Sequence, residues 1–348
     1  MIKKIIEILN DEHQEIQESL EYTDLDLYRK TKLLVNNYNT LKETNGVYVS
    51  GIILQGYALS YTVEGKSVDK DRLEKCIETI KENTSVFSSF RGQSIVNTAK
   101  VLANQINPKE SLDEIVEIYE KLKRNKFSYG ESSILVSAKM FENQHNMNVD
   151  TCIDKMKYVY ESMRKNHPFL TSTDDYISAY MIATNSKDID NNLERIEEIY
   201  TYLNNNGFYK GNTLQSLSHV LSFSKDEKDW GRCIEIKEAL KNNGIKVAEA
   251  GYPIIGALAL LNIKDMDKMV KEIDMVSNEL KKHSGYGSFG IGEAYRNMIA
   301  ISIVATRYKS KLNMDTMLIN KVIEDINQAI NIAIMAATTS AILVTVTN

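Results

Sequence analysis

The sequence repeats itself with a period of about 40 residues. Each strong copy has two apolar residues four positions apart and an asparagine three positions after the second of them. Strong copies begin at Ile118, Val159, Ile199 and Ile236, and weaker copies extend the pattern, so that its seven centres are Leu41, Ile80, Leu122, Met163, Leu203, Leu240 and Leu280. One helix pair cannot bury both of its faces, and a repeat of this length is therefore typical of stacked helix pairs.

Within a repeat, the local pattern predicts two helices. From Leu112 to Leu122 the apolar residues fall on one stripe of a helical surface. Asn107 before Pro108 predicts an N-cap followed by proline at the first helical position, and Gly207 and Gly244 predict helix C-caps. The second helix of each repeat is richer in alanine, serine and glycine, which allows close approach of neighbouring backbones. The predicted fold is therefore all-α, an α-α superhelix or solenoid of about seven helix pairs.

The repeats extend through almost the whole chain. We predict a single helical-repeat domain over residues 1–348, with an N-terminal capping helix over 1–26, helix pairs over 27–310 and C-terminal capping helices over 311–348. The stretch Ile326–Asn348 has no charged residue and is long enough to span a bilayer, but many polar residues interrupt it. A final helix packed on the last repeat is preferred to a membrane anchor. The sequence leaves open whether the stack closes on itself.

Composition and motifs argue against several classes of function. The net charge of the 348 residues is -5, so there is no bulk basic signature for nucleic acid or an anionic membrane. The three cysteines are far apart, which indicates neither a zinc knuckle nor a disulfide framework. No P-loop, GxSxG or HExxH motif is present, and the N-terminus lacks the apolar core of a signal peptide. We predict a cytoplasmic protein with no cofactor, no metal and no catalytic residue that the sequence alone identifies.

A glycine-rich string occurs in His283–Glu293, which contains GxGxxG. A dinucleotide-binding fingerprint needs a strand before the string and a helix after it. Here the predicted helix Met266–Lys282 precedes it instead. The preferred interpretation is a flexible corner between the two helices of the last repeat. The alternative that the N-terminus of the following helix binds an anion stays open.

Charges are distributed unevenly along the predicted first helices. Acidic residues come early and basic residues come late, as with Glu110, Asp113 and Glu114 before Lys121, Lys123, Arg124 and Lys126. This order complements the helix macrodipole, which is the simpler explanation. The alternative is that the basic ends align as a ridge that binds an anionic partner.

Aromatic residues recur at the predicted corners and at the starts of the second helices. Residues at equivalent points of successive repeats form a strip along a stack, and tyrosine offers that strip a large apolar ring with one polar group. The candidate ligand-binding residues are Tyr129, Tyr176, Tyr209, Tyr252, Tyr286, Tyr295, Arg91 and Arg296. The alternative is that these residues only pack the corners between repeats.

The period, the corner glycines beside aromatic residues and the Ala/Thr-rich ending Asn331–Ala341 resemble an uncharacterised bacterial family, catalogued as domain of unknown function four-thousand-and-three. The resemblance covers nearly the whole chain. It implies a bacterial, intracellular, helical protein of one domain, and it carries over no catalytic or binding residue.

A non-catalytic binding scaffold is the function that these observations favour. Stacked helix pairs present a concave surface, which suits a peptide, a protein or a small ligand. The first alternative is an all-helical enzyme with acids or tyrosines converging inside the curve, which a deep pocket holding two carboxylates would favour. The second alternative is nucleic-acid binding through the basic helix ends, with a steep salt dependence. Neither nucleic acid nor a membrane is the expected partner.

Overall fold

A computed structural model describes residues 22–261 and 263–310 of the chain. These residues form fourteen α-helices and no β-strand, which confirms the predicted all-α class. The helices are α1 Tyr22–Glu43, α2 Gly51–Val63, α3 Lys70–Asn83, α4 Ile95–Ala103, α5 Pro108–Arg124, α6 Glu131–Asn143, α7 Val149–Asn166, α8 Tyr176–Asn185, α9 Ile189–Asn205, α10 Asn212–Ser222, α11 Lys228–Asn242, α12 Tyr252–Leu260, α13 Met266–Lys281 and α14 Gly292–Ser310. The predicted C-terminal capping helices and most of the N-terminal one lie outside the described residues.

The fourteen helices pack as seven consecutive pairs, from α1 with α2 to α13 with α14. The connections within pairs have six to eleven residues and those between pairs have three to six. The start of a first helix contacts the end of its second helix, as where Arg232 donates to Ala259 O at 2.9 Å and Gln144 donates to Glu114 at 2.6 Å, so successive helices alternate in direction. All seven centres of the sequence repeat are buried near the C-terminal end of the first helix of a pair. The sequence repeat thus corresponds to one helix pair, and its centre marks the point where the first helix packs on its neighbours.

Local capping explains where several first helices begin and end. Four of them start at an aspartate or asparagine whose side chain accepts a hydrogen bond from the backbone N–H three residues later: Asp69, Asn148, Asp188 and Asp265. Gly207 and Gly244, the predicted C-caps, have positive φ angles of 89° and 72°. The predicted N-cap Asn107 differs, because its side-chain amide donates to the Glu110 carboxylate, 2.9 Å away, and accepts no backbone hydrogen bond.

Each corner, meaning the connection between the two helices of one pair, is hydrogen-bonded to the next pair. The first six links are Lys81 to Gly46 O, Gln93 N–H to Glu131, Ser128 N–H to the Tyr176 hydroxyl, Gln215 to Thr171, Lys237 to Gly207 O, and Asn297 to Lys246 O. The seventh joins the last corner to the first pair, since Gln55 Nε2 donates to Gly285 O at 2.9 Å. Helices α13 and α14 also pack on α1. The seven pairs therefore form a closed ring.

The second helices of the pairs form the inner layer of this ring. Every residue of α8 from Tyr176 to Ala183 and of α12 from Tyr252 to Ala259 is buried, whereas α5 buries one stripe and exposes the rest. A Cβ atom on Gly256 would lie 2.5 Å from Leu217 Cδ1. Small residues in the second helices thus do permit close packing, here between α10 and α12.

The glycine-rich string lies in the corner between α13 and α14. Gly285 in this corner has a φ of 90°, and no strand precedes the string in the described chain, so the corner interpretation is confirmed. A Cβ atom on Gly290 would lie 2.0 Å from the Gly285 carbonyl oxygen, which explains why the corner needs glycine there. Among the described helices, none is long and apolar enough to cross a membrane. The uncharged stretch Ile326–Asn348 lies outside the described residues.

Candidate functional site

A cavity of about 310 Å³ lies among four consecutive inner helices, α2, α4, α6 and α8. It begins beside the corners that precede α4, α6 and α8 and follows α6 through most of its length. Six charged side chains line it: Glu64, Lys100, Glu131, Lys139, Glu142 and Asp174. Tyrosines, serines, one threonine, one glutamine and one asparagine complete the polar part of the lining. Two ammonium groups against four carboxyl groups make this lining acidic overall.

Lys100 forms the most buried charged contact in the cavity wall. This α4 residue is 8% exposed, and its ammonium group donates to Ser60 Oγ at 2.7 Å and to the Glu64 carboxylate, both on α2. Burial lowers the pKa of Lys100, although the Glu64 carboxylate opposes that shift. Burial alone would raise the pKa of Glu64, but the ammonium groups of Lys100 and Lys66 outweigh it and hold this pKa below its usual value. Lys100 and Glu64 therefore form an ion pair that links two neighbouring inner helices.

Glu131 connects the cavity wall to the start of α4. Its carboxylate accepts hydrogen bonds from the backbone N–H groups of Gln93, at 2.9 Å, and Ser94. Burial raises the pKa of Glu131, and these hydrogen bonds oppose the rise. A Cβ atom on Gly92 would lie 2.4 Å from Glu131 Oε1, so this contact requires glycine at position 92. Both the carboxylate and the glycine thus serve to hold the corner before α4.

Two of the sequence-predicted site residues, Tyr129 and Tyr176, line this same cavity. Tyr176 is buried, its hydroxyl accepts the Ser128 N–H at 3.0 Å, and its ring packs edge-on against Phe127 with centroids 5.0 Å apart. Tyr129 is 72% exposed, and the Lys123 ammonium lies 4.1 Å from its ring centroid. Tyr176 therefore belongs to the wall, whereas Tyr129 lies where solvent reaches the cavity.

The other six predicted site residues are not part of the lining of this cavity. Tyr252 and Tyr286 are buried in the core, and Tyr295 is half-buried against it. Tyr209 is exposed in the corner before α10. Arg91 and Arg296 contact the protein itself: Arg91 donates to the carbonyl oxygens of Lys81 and Thr84, and Arg296 donates to Tyr286 O and Ser277 Oγ, each at 3.1 Å.

The charged residues of the cavity lining are not among the sequence-predicted site residues. A signal was present, because Tyr61, Lys100, Lys139, Tyr180 and His219 recur at intervals of 39 to 41 residues inside second helices that are rich in apolar and small residues. A lysine at such a position is costly to bury without a partner and therefore indicates a polar interior. Lys139 pairs with Glu142 at 2.8 Å. Both also line a second cavity, of about 660 Å³, between α6, α7 and α8.

No metal centre is found in this part of the molecule. Within residues 22–261 and 263–310, no group of three histidine, cysteine, aspartate or glutamate side chains could hold a metal ion. The three cysteines, Cys76, Cys152 and Cys233, are buried and unbonded to one another. Burial raises the pKa of Cys152 to about 12, so its thiol stays protonated at neutral pH and is a poor nucleophile.

Comparison with known proteins places the chain in a family. The model of the family described as "Protein of unknown function (DUF4003)" matches residues 37–339. The chain is also 26% identical over 329 residues to "Uncharacterized protein YeaA" of Bacillus subtilis (strain 168), across 91% of this chain and 96% of that protein. No solved structure is detectably similar. Because the family model matches most of its length, the chain belongs to the DUF4003 family.

Proposed function

We propose that the protein is a non-catalytic binding protein that holds a small polar ligand in the cavity among α2, α4, α6 and α8. The observation that carries the proposal is a cavity of about 310 Å³ whose charged wall is contributed by four successive inner helices. Ligand sites are concave, largely pre-formed and placed between elements, with a few polar groups that fix orientation. In a closed ring the concave surface becomes an interior, which suits a small molecule better than a protein.

The charged groups of the wall are more consistent with binding than with catalysis. Lys100, Glu64 and Glu131 are held by contacts within the protein, so they shape the site rather than exchange protons with a substrate. Groups such as Asn97 and Ser132 line the cavity from α4 and α6. A ligand with hydroxyl, amide or amine groups matches these hydrogen-bonding side chains. A net acidic lining further favours a neutral or positively charged molecule over an anion.

Native mass spectrometry of gently purified protein tests this proposal. We expect a stoichiometric molecule, small enough for a site of this volume, that is released on denaturation. Asn97→Leu should weaken its retention about tenfold or more, because an apolar side chain replaces a hydrogen-bonding group in the lining. The matched control is Asn36→Leu, which makes the same change on the exposed face of α1.

The results distinguish binding from the alternatives. If the Asn97→Leu protein retains the molecule as well as the wild type does, the ligand binds outside this cavity. Chemical conversion of the retained molecule by the protein would favour the enzyme alternative, in which the carboxyl groups of the lining act on a substrate. Co-purification of a peptide or protein, with no small molecule, would contradict the proposal.

A further inference from the structure

Large aromatic side chains project into solvent from six of the seven corners. They are Tyr48, Phe87, Tyr129, Phe169, Tyr209 and Phe289, which are between 69% and 109% exposed. Single exposed apolar residues are common on protein surfaces, but aromatic residues repeated at equivalent positions of one surface indicate an interaction site. Because successive helices alternate in direction, all seven corners lie at the same end of the ring. We call the corners, with the helical turn on each side of them, the corner rim.

The corner rim is basic although the chain as a whole is acidic. Residues 40–54, 80–98, 121–134, 163–179, 202–215, 239–255 and 278–295 contain fourteen lysine and arginine residues and eight acidic residues. The whole chain has a net charge of -5. The opposite rim, counted in the same way over residues 60–73, 100–111, 140–152, 182–192, 219–231 and 257–269, contains ten lysine and arginine residues and thirteen acidic residues. The ring is therefore electrically polarised along its axis, with its aromatic side chains on the positive face.

We propose that the corner rim docks on the surface of an anionic lipid bilayer, with the corner aromatic side chains at the level of the lipid headgroups. Aromatic residues favour that level, and lysine and arginine near it are attracted to anionic lipid. Side chains arranged around one end of a ring contact a flat partner simultaneously, and a bilayer is flat. This surface binding requires no helix that crosses the membrane, since the apolar side chains reach only the headgroup boundary.

Other partners fit this surface less well. A second copy docked face to face would bring two positively charged rims together, which like charges oppose. A copy stacked head to tail would place six aromatic side chains against the opposite rim, which offers them little exposed apolar surface beyond Ile106 among the described residues. A nucleic-acid duplex is a cylinder and would contact only part of a circle of corners. A single strand would need a continuous groove with stacking platforms, whereas Phe87, Phe169 and Phe289 are separate tips.

The ligand cavity opens at the corner rim, and Tyr129 belongs to both. The docking proposal nevertheless rests on the charge of the whole rim and on Phe87, Phe169 and Phe289, which do not line the cavity, so it does not depend on the proposed function.

Co-sedimentation of the full chain with vesicles tests the docking surface. The protein should bind vesicles that contain about one-third phosphatidylserine in phosphatidylcholine, and bind pure phosphatidylcholine at least about tenfold more weakly. The triple variant Phe87→Ser, Phe169→Ser and Phe289→Ser should lose at least about tenfold in partitioning, because three apolar side chains no longer enter the headgroup region. High salt should weaken the remaining binding.

Ile106 provides a matched control for the aromatic tips. It is 95% exposed in the connection between α4 and α5, at the opposite rim, so Ile106→Ser should bind vesicles like the wild type while Phe169→Ser binds less. Unchanged thermal unfolding in each variant shows that the ring itself is intact. Equal loss in Ile106→Ser and Phe169→Ser, or no binding to the anionic vesicles, would overturn the proposal. So would tight binding of a single-stranded oligonucleotide by a protein that ignores vesicles.

Discussion

At the scale of single residues, the interior of this ring depends on a few polar side chains whose partners come from other helices. Lys100 reaches from α4 to Glu64 on α2, and Glu131 reaches from α6 to the backbone before α4. A buried group of this kind lowers the stability of the protein when it loses its partner, because its desolvation free energy is then no longer offset by an interaction. The stability of the protein should therefore respond sharply to changes at these positions.

Lys100→Met should lower the free energy of unfolding by about 1–2 kcal/mol, because it leaves the Glu64 carboxylate without its closest cation. The loss stays below that of a fully buried pair, since the Glu64 side chain is 37% exposed and also contacts Lys66. Urea unfolding at neutral pH measures the effect. Adding Glu64→Gln should restore part of the stability, and Lys66→Met is the exposed control. A Lys100→Met protein as stable as the wild type would show that the pair contributes nothing.

Asp175 predicts a pH dependence of stability. Its buried carboxylate accepts the Ser172 N–H at 2.9 Å, and burial raises its pKa to about 7. In the unfolded chain an aspartate titrates near 3.9, so between about pH 4 and 7 only the folded state holds the proton, and the free energy of unfolding falls as the pH rises. Asp175→Asn keeps a hydrogen-bond acceptor and cannot ionise.

The stability of Asp175→Asn relative to the wild type should therefore increase from pH 4 to pH 8, by up to about 4 kcal/mol. Thermal or urea unfolding across this range measures the difference. Asp154→Asn, on the exposed face of α7, controls for the loss of a carboxylate. A difference between Asp175→Asn and the wild type that stays constant with pH would contradict the assignment of a raised pKa to this group.

At the scale of helices, the outer and inner layers obey different packing rules. A first helix buries one stripe and keeps a solvated face, whereas an inner helix such as α12 is buried along nearly its whole length. Outer helices therefore tolerate side-chain additions on their exposed face. Inner helices are packed on several sides, so an added methyl group must displace a neighbour.

Two glycines within helices should consequently respond in opposite ways to the same change. Gly256→Ala on α12 should lower stability by about 1 kcal/mol or more, because the new Cβ would lie 2.5 Å from Leu217 Cδ1 and 3.3 Å from Val220 Cγ1. Gly231→Ala on α11 should raise stability by up to about 1 kcal/mol, since its nearest neighbour, the Tyr202 hydroxyl, is 4.0 Å away and alanine favours the helix. Urea unfolding of both variants measures the two signs. Stabilisation by both changes would mean that α10 and α12 are not closely packed.

At the scale of the whole molecule, closure should remove the weak ends that an open stack of helix pairs has. Terminal repeats of an open stack lack a neighbour on one side and unfold locally first. Here α1 and α2 contact α13 and α14, and Lys30 donates to Thr306 Oγ1 at 3.1 Å across 276 positions of sequence. The first and last pairs thus have neighbours on both sides.

Hydrogen–deuterium exchange measures this consequence of closure. Amides in α1, α2, α13 and α14 should be protected to about the same extent as those of the middle pairs. Gln55→Ala removes the hydrogen bond to Gly285 O and should increase exchange in both the first and the last pair together. Gln144→Ala, in the exposed connection after α6, is the control. Faster exchange at the first and last pairs of the wild type would indicate that the ring opens in solution.

The sequence by itself determined the helix pairs. The period of about 40 residues, the apolar stripes and the glycines that end helices are local patterns, and the structure shows a helix pair for each copy. The sequence also singled out Tyr129 and Tyr176 among the candidate site residues, and both line the same cavity. It did not distinguish these two tyrosines from Tyr252 and Tyr286, which are buried in the core. The burial of a side chain at a given repeat position depends on how neighbouring pairs pack, which the local sequence pattern does not specify.

Only the tertiary structure decided that the ring closes, which helices face inward and which charges line the interior. Closure requires the seven rotations between neighbouring pairs to sum to a full turn, and each rotation comes from side-chain packing across an interface rather than from a local pattern. Gln55 and Gly285 are 230 positions apart in the sequence, and their contact exists only because the stack of pairs curves back on itself. The contact of Lys100 with Glu64 likewise requires two inner helices to pack side by side, which no spacing along the chain encodes.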